Sequence, residues 1–185
     1  MSMSFESCVA FYCAPTLAGI KPSNLFTWRH VKRDDSRRHI DNLKRKFAGS
    51  ELSVETLCEC SRYSLIFIYR REMLENTIKA PEVTAFLSDF GYPGNGGLAP
   101  SLDRLKARTE NGGGFPHEIG VFLGYPLHDV KGFIKAPDRR CRLSGEWKVY
   151  ANESETEKIF DRIRKCRDEI YRRFTNGSDI ASLMA

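Results

Sequence analysis

Apolar positions along this chain fall into short blocks, and the spacing inside each block changes from element to element. Arg62 to Tyr69 (RYSLIFIY) ends in the longest uninterrupted apolar run, Leu65 to Tyr69, and is rich in β-branched and aromatic residues. That pattern predicts a central strand covered on both faces. Asp35 to Phe47 places Ile40, Leu43 and Phe47 at helical spacing with basic residues facing outward, and Gly49 follows as a C-cap signal. Arg70 to Lys79 reads as a helix, and Pro81 to Phe90 as another with proline at its first position. Gly91 to Gly97 is a loop; Leu98 to Glu110 is an amphipathic helix ended by Asn111 and three glycines. Leu127 to Ile134 predicts a short helix and Trp147 to Tyr150 a strand. Glu153 to Phe174 predicts a long charged helix with Ile159, Phe160, Ile163, Cys166, Ile170 and Phe174 as its apolar stripe, capped by Asn176-Gly177. Near the N-terminus, Phe5 to Tyr12 is a short apolar segment with Ser4 as N-cap and Pro15 as its stop. Thr16 to Lys21 and Asn24 to Trp28 are either two short strands around a turn or a helical turn followed by a strand; their periods are too brief to decide.

This order, few strands among many helices without repeat or linker, predicts one α+β (or small α/β) domain over residues 1–185. Its core spans about 5–175, with a loose tail from 176 to 185. Hydrophobic residues make 41% of the 185 and charged residues 29%, a globular balance that excludes collagen-like, mucin-like and wholly disordered chains. The Leu65–Tyr69 run is far short of the ~20 residues a membrane span needs. The N-terminus carries Glu6 and no basic region before its apolar stretch, so the chain reads as cytosolic with no membrane association.

The formal charge is +5, from 29 Lys+Arg against 24 Asp+Glu. Eight of the basic residues crowd between Arg29 and Lys46, a patch able to meet phosphates or to be a solvated face of mixed ion pairs. Aromatic residues there are only Trp28 and Phe47, too few for a single-strand stacking platform. The six cysteines (Cys8, Cys13, Cys58, Cys60, Cys141 and Cys166) are scattered. Cys58-Glu-Cys60 is a C-x-C with no second close pair to complete a zinc site, so free, partly buried thiols are the simpler reading.

Gly112 to Gly120 (GGGFPHEIG) is the densest candidate for chemistry: a His-Glu pair directly after a permissive loop. His117 is a candidate general base or metal ligand and Glu118 its orienting acid; the alternative is a histidine that caps the turn. Val121 stands four residues after His117, which excludes an H-E-x-x-H helix. Cys13 lies at a break before Pro15, where helix N-terminal amides would lower a thiol pKa; it is a candidate nucleophile or a small buried hydrophobe. Neither glycine-rich segment carries a phosphate-loop or dinucleotide fingerprint. Glu51/Glu55 and Asp34/Asp35 read as exposed caps, and His128-Asp129 as the opening of the next helix.

CAPTLAGIK (13–21), Leu65 to Tyr69, FPHEIGVFLGYP (115–126), DVKGFI (129–134) and WKVY (147–150) together resemble a bacterial domain family of unknown function, found mainly in anaerobes and marked by its FPHEIG-x-FLGYP core. The resemblance covers about residues 5–175. It implies no reaction; members lying near iron-uptake or flavodoxin genes tilt it slightly toward metal or redox chemistry. Two departures stand out: Tyr12 where many relatives place His, and a more basic stretch at Lys135 to Gly145. The candidate catalytic set is Cys13, His117 and Glu118, and the candidate binding set Lys21, Gly113, Gly114, Phe115, Tyr125 and Trp147. Three function classes stay open: a thiol-dependent Cys/His enzyme on an unknown small molecule or peptide, a non-enzymatic module whose basic helix meets an acidic or nucleic-acid partner, and a metal- or haem-linked redox or iron-homeostasis protein. Cofactor and oligomeric state are open, as is whether Tyr63, Tyr69, Tyr92 and Tyr125 line a pocket or only pack.

Overall fold

The computed structural model describes residues 3–30, 32–94, 96–110, 115–137 and 140–185. The predicted central strand runs over Tyr63–Arg70 (β3), antiparallel between β1 (Ser23–Arg29) and β2 (Leu52–Glu59), in the order β1-β3-β2. Side chains alternate across it as a period of two requires. Ile66 and Ile68 enter one core and Leu65, Phe67 and Tyr69 the other. Phe26 of β1 joins the first core, and Leu25 packs against the second.

Helices from both ends of the chain cover one face and helices from its middle the other. On the first lie α1 (Phe5–Tyr12), the short α2 (Ala14–Leu17), α3 (Arg33–Phe47) and the long α9 (Glu153–Thr175). On the second lie α4 (Arg71–Lys79), α5 (Pro81–Ser88), α6 (Leu98–Glu110), α7 (Ile119–Phe122) and α8 (Leu127–Lys135). A small hairpin, β4 (Leu143–Ser144) with β5 (Lys148–Val149), packs against α8 and forms a third cluster with Ile163 of α9. The fold is α+β.

β2 has no counterpart among the expected elements. Its register shifts between Thr56 and Cys58, a bulge that lets Val54 face the first core while Leu57 and Cys58 both turn to the second. The ambiguous stretch after Cys13 resolves as a helical turn followed by a strand, and the helix expected to reach Phe90 ends at Ser88.

The segment from 176 to 185, expected to be loose, is fastened. Ile180 and Leu183, in a 3-10 turn at Ile180–Leu183, are buried in the first core, and Lys46 pairs with both Glu6 and Asp179. Two apolar residues three apart seal the end of the α1–α9 layer, which outweighs the glycine and polar residues before them.

Arg70 ties this layer to the sheet. Its Nε donates to Thr16 O at 2.8 Å and its Nη2 to Leu17 O at 2.7 Å and Ala185 O at 2.9 Å. Thr16 and Leu17 are fully buried, and the guanidinium shares their carbonyls with the backbone N–H groups of Gly19 and Ala185, which donate to Thr16 O at 3.2 Å and to Leu17 O at 3.0 Å. Arg70→Met is expected to lower unfolding free energy by about 1.5–3 kcal/mol, the net worth of hydrogen bonds from a charged donor. A urea titration with an unchanged slope and a lower midpoint checks this.

Candidate functional site

The FPHEIGVFLGYP block folds as a turn, the single helical turn α7 and a second tight turn into α8. Gly124 occupies the left-handed region at φ +75°, where a Cβ would lie 2.6 Å from Pro22 Cδ. A Cβ on Gly120 would meet Val130 Cγ2 at 2.8 Å, so only glycine lets α7 lie this close to α8. Between the two helices and the β4–β5 hairpin opens a cavity of about 260 Å³. Ile119, Leu123, Tyr125, Val130, Phe133 and Trp147 form its apolar walls, Phe115 stands at its edge, and His117, Asp129 and Lys148 supply the polar atoms.

Asp129 holds this site together. Its carboxylate is buried in the first turn of α8 and accepts from Trp147 Nε1 at 2.9 Å and from the Tyr150 backbone N–H at 2.8 Å, with His128 Nε2 at 3.4 Å. Charge-assisted bonds of this kind pin the hairpin to the helix and set the plane of the indole. Tyr125 stacks on Trp147 at 4.9 Å, and Trp147 meets Phe160 of α9 edge-on at 4.6 Å. His117 meets Phe133 edge-on at 4.9 Å, and Lys148 Nζ lies 5.1 Å from the same ring.

Of the expected site residues, His117, Phe115, Tyr125 and Trp147 are brought together around this cavity. Gly113 and Gly114 lie outside the described residues. Cys13, Glu118 and Lys21 are elsewhere. Cys13 is fully buried in the first core, and burial above all pushes its thiol far up, with Cys8 adding to this and Lys21 opposing it. Such a group stays protonated at neutral pH and has the surroundings of a packing residue rather than an activated nucleophile. Among the described residues no contact joins it to His117.

Glu118 does not orient His117. Its carboxylate is buried, ion-paired with Arg108 of α6 and hydrogen-bonded by Tyr92 Oη at 3.1 Å. Burial first, then the Glu118 charge, holds the Tyr92 phenol far above its ordinary value, so it remains a donor. Glu118→Gln is expected to cost about 2–3 kcal/mol of stability, because Arg108 keeps its charge and loses its partner. Chemical denaturation of the variant reads this loss directly.

Lys21 is buried behind Tyr125, with Nζ 5.0 Å from that ring. Burial lowers its pKa to about 8, opposed by Glu146 and Cys13 and reinforced by Arg167. Below pH 8 the fold therefore carries a charge that the unfolded chain solvates better. From about pH 8 to 10.5 the native state has released the proton and the unfolded state has not, so this group's contribution to stability rises with pH across that window. Lys21→Met is expected to be the more stable protein at pH 7 by roughly 2 kcal/mol, after subtraction of the lost cation–π interaction. That advantage should fade as pH approaches 10.5, which paired denaturation curves at pH 7 and pH 10 measure.

Among the cavity residues that the sequence reading missed are Asp129, Val130 and Phe133, which share one face of α8, with Ile119, Gly120, Leu123 and Lys148. The signal was present: Pro126, Asp129, Val130 and Phe133 follow one another at helical spacing.

A family model described as "Protein of unknown function (DUF3793)" matches residues 9–184. The chain belongs to this family. No curated protein and no solved structure matches the chain. The DUF3793 match spans every element that builds the cavity, from α7 to α9. Among the described residues no three His, Cys, Asp or Glu side chains converge as a metal site would need, and no helix is long and apolar enough to cross a membrane. On the basic helix α3, Arg37 pairs with Glu59, Arg38 with Asp35, and Lys46 with Glu6 and Asp179, which reduces the charge that patch offers to a phosphate chain.

Proposed function

We propose that this protein binds a small, largely apolar molecule in the cavity between α7, α8 and the β4–β5 hairpin. The observation that carries the reading is the cavity itself: about 260 Å³ of space walled by aromatic and aliphatic side chains, with a few polar atoms at defined positions. That is the make-up of a ligand site rather than of a packing defect. Among the described lining residues none is a serine, threonine or cysteine, and both Asp129 oxygens already accept hydrogen bonds. The wall therefore recognises shape and supplies a proton donor or acceptor through His117 and a cation through Lys148.

Isothermal titration with 4-phenyl-1-butanol tests the reading. A molecule of this size is expected to bind with a Kd between about 10 µM and 1 mM. Val130→Phe, which places a ring in the cavity, should weaken binding about tenfold or more. Phe133→Ala, which enlarges the cavity, should shift the preference toward 6-phenyl-1-hexanol. Circular dichroism establishes that each variant is folded. No heat of binding in the wild type, or equal binding in wild type and folded Val130→Phe, would overturn the assignment.

A further inference from the structure

We infer that the aromatic cavity continues past Phe115 into a second, cationic compartment, and that the two together take an organic anion: an apolar, ring-sized body joined by a short linker to a carboxylate or phosphate. This rests on the reading of the cavity as a binding site and names the chemical class it takes.

Phe115 is the link. It is 49% exposed and lines both the cavity and a neighbouring groove of about 680 Å³. The groove lies on the second face of the sheet, at its open end. Thr27, Leu65 and Cys58 form one row across the three strands there, and Arg29 and Tyr63 the next. Arg62 stands beside them, one residue before β3. Among the described residues neither Arg29 nor Arg62 makes an ion pair, whereas Arg37, Arg71 and Arg108, on neighbouring elements, are each paired with a glutamate.

Two guanidinium groups beside an apolar chamber match a carboxylate or phosphate oxyanion, which arginine binds through paired N–H donors. The thiols in the groove do not cancel this charge. Cys58 Sγ lies 3.4 Å from Cys60 Sγ, and burial and that neighbour push the Cys58 thiol up to about 11, so it is neutral at pH 7. Glu110, at the end of α6, is a carboxylate whose field reaches Cys58 and which a bound anion would have to avoid. The hydroxyl of Thr27 offers a further donor at the groove wall, while that of Thr109 donates to Leu105 O at 2.8 Å.

The test compares three probes with one body: 4-phenyl-1-butanol, 4-phenylbutyrate and 4-phenylbutyl phosphate, titrated calorimetrically into wild type, Arg29→Gln/Arg62→Gln and Val130→Phe. In the wild type at least one anion is expected to bind about tenfold more tightly than the alcohol, an advantage that shrinks in high salt. Which anion gains more identifies the headgroup. In the arginine variant the advantage should fall to within twofold while the alcohol binds as before, and Val130→Phe should weaken all three. If alcohol and anions bind the wild type equally, the second compartment is refuted and the cavity reading survives. If the anions bind through the arginines but Val130→Phe changes nothing, the groove is a separate anion site and the two-compartment inference is refuted. If no probe binds, both readings fall.

Discussion

β3 is apolar toward both of its faces, and that constraint arranges everything else. An antiparallel sheet can leave one side in water, but Leu65, Phe67 and Tyr69 on one face and Ile66 and Ile68 on the other forbid it. Each such side chain gains about 1.5–3 kcal/mol from full burial, so neither face can be left bare. The chain answers with two helical layers: α1, α3 and α9, drawn from both of its ends, on one side, and α4 to α8, drawn from its middle, on the other. Three strands are too narrow a platform for that many helices. The second layer therefore extends beyond the sheet, and α7, α8 and the β4–β5 hairpin pack on one another there.

A region that reaches past the sheet, touching it where Ser23 Oγ of β1 donates to Phe122 O of α7, needs a further source of fixed geometry, and buried polar groups provide it. Asp129 binds α8 to the hairpin; Glu118 binds the turn before α7 to Arg108 and Tyr92. Buried charges rarely add net stability over apolar packing, but their bonds have directions that hydrophobic packing lacks. A wrongly seated α8 would leave a carboxylate without its N–H donors, which makes alternative packings costly. The two carboxylates, spaced along one short stretch of chain, thus fix the start of α7 against α6 and α8 against the hairpin, and with them two walls of the cavity.

Much of this frame could be read from the sequence, and what could not has physical reasons. β3, α3, α6 and α9 were legible because each keeps one period over several residues. β2 was not: Ser53, Glu55 and Glu59 interrupt its apolar positions, and the bulge at Leu57 breaks the alternation by which an edge strand is known. Burial is not a local property, so Cys13 and Glu118 looked like reactive groups at turns and proved to be a core thiol and a paired interior carboxylate. The tail was misjudged for the same reason, since Ile180 and Leu183 carry too little apolar sequence to announce that a gap in the first core awaits them. At the site, the aromatic residues Phe115, Tyr125 and Trp147 were identified from the blocks FPHEIGVFLGYP and WKVY, while their anchor Asp129 passed as a helix opener.

The rings around the cavity are unequally held, and the inequality bears on what the cavity can do. Trp147 is fixed at its nitrogen by Asp129 and at its edge by Phe160; Tyr125 lies between Trp147 and the Lys21 ammonium; Phe133 is flanked by His117 and Lys148. A pocket whose walls are already ordered loses little conformational entropy when it fills, so most of the free energy of apolar burial appears as affinity. Phe115 is the exception: half exposed, it meets His117 at a centroid distance of 6.2 Å and borders two spaces at once. A preformed chamber with one lightly held ring at its boundary suits rigid recognition of a body, and Phe115 is the wall it shares with the groove that Arg29 and Arg62 line.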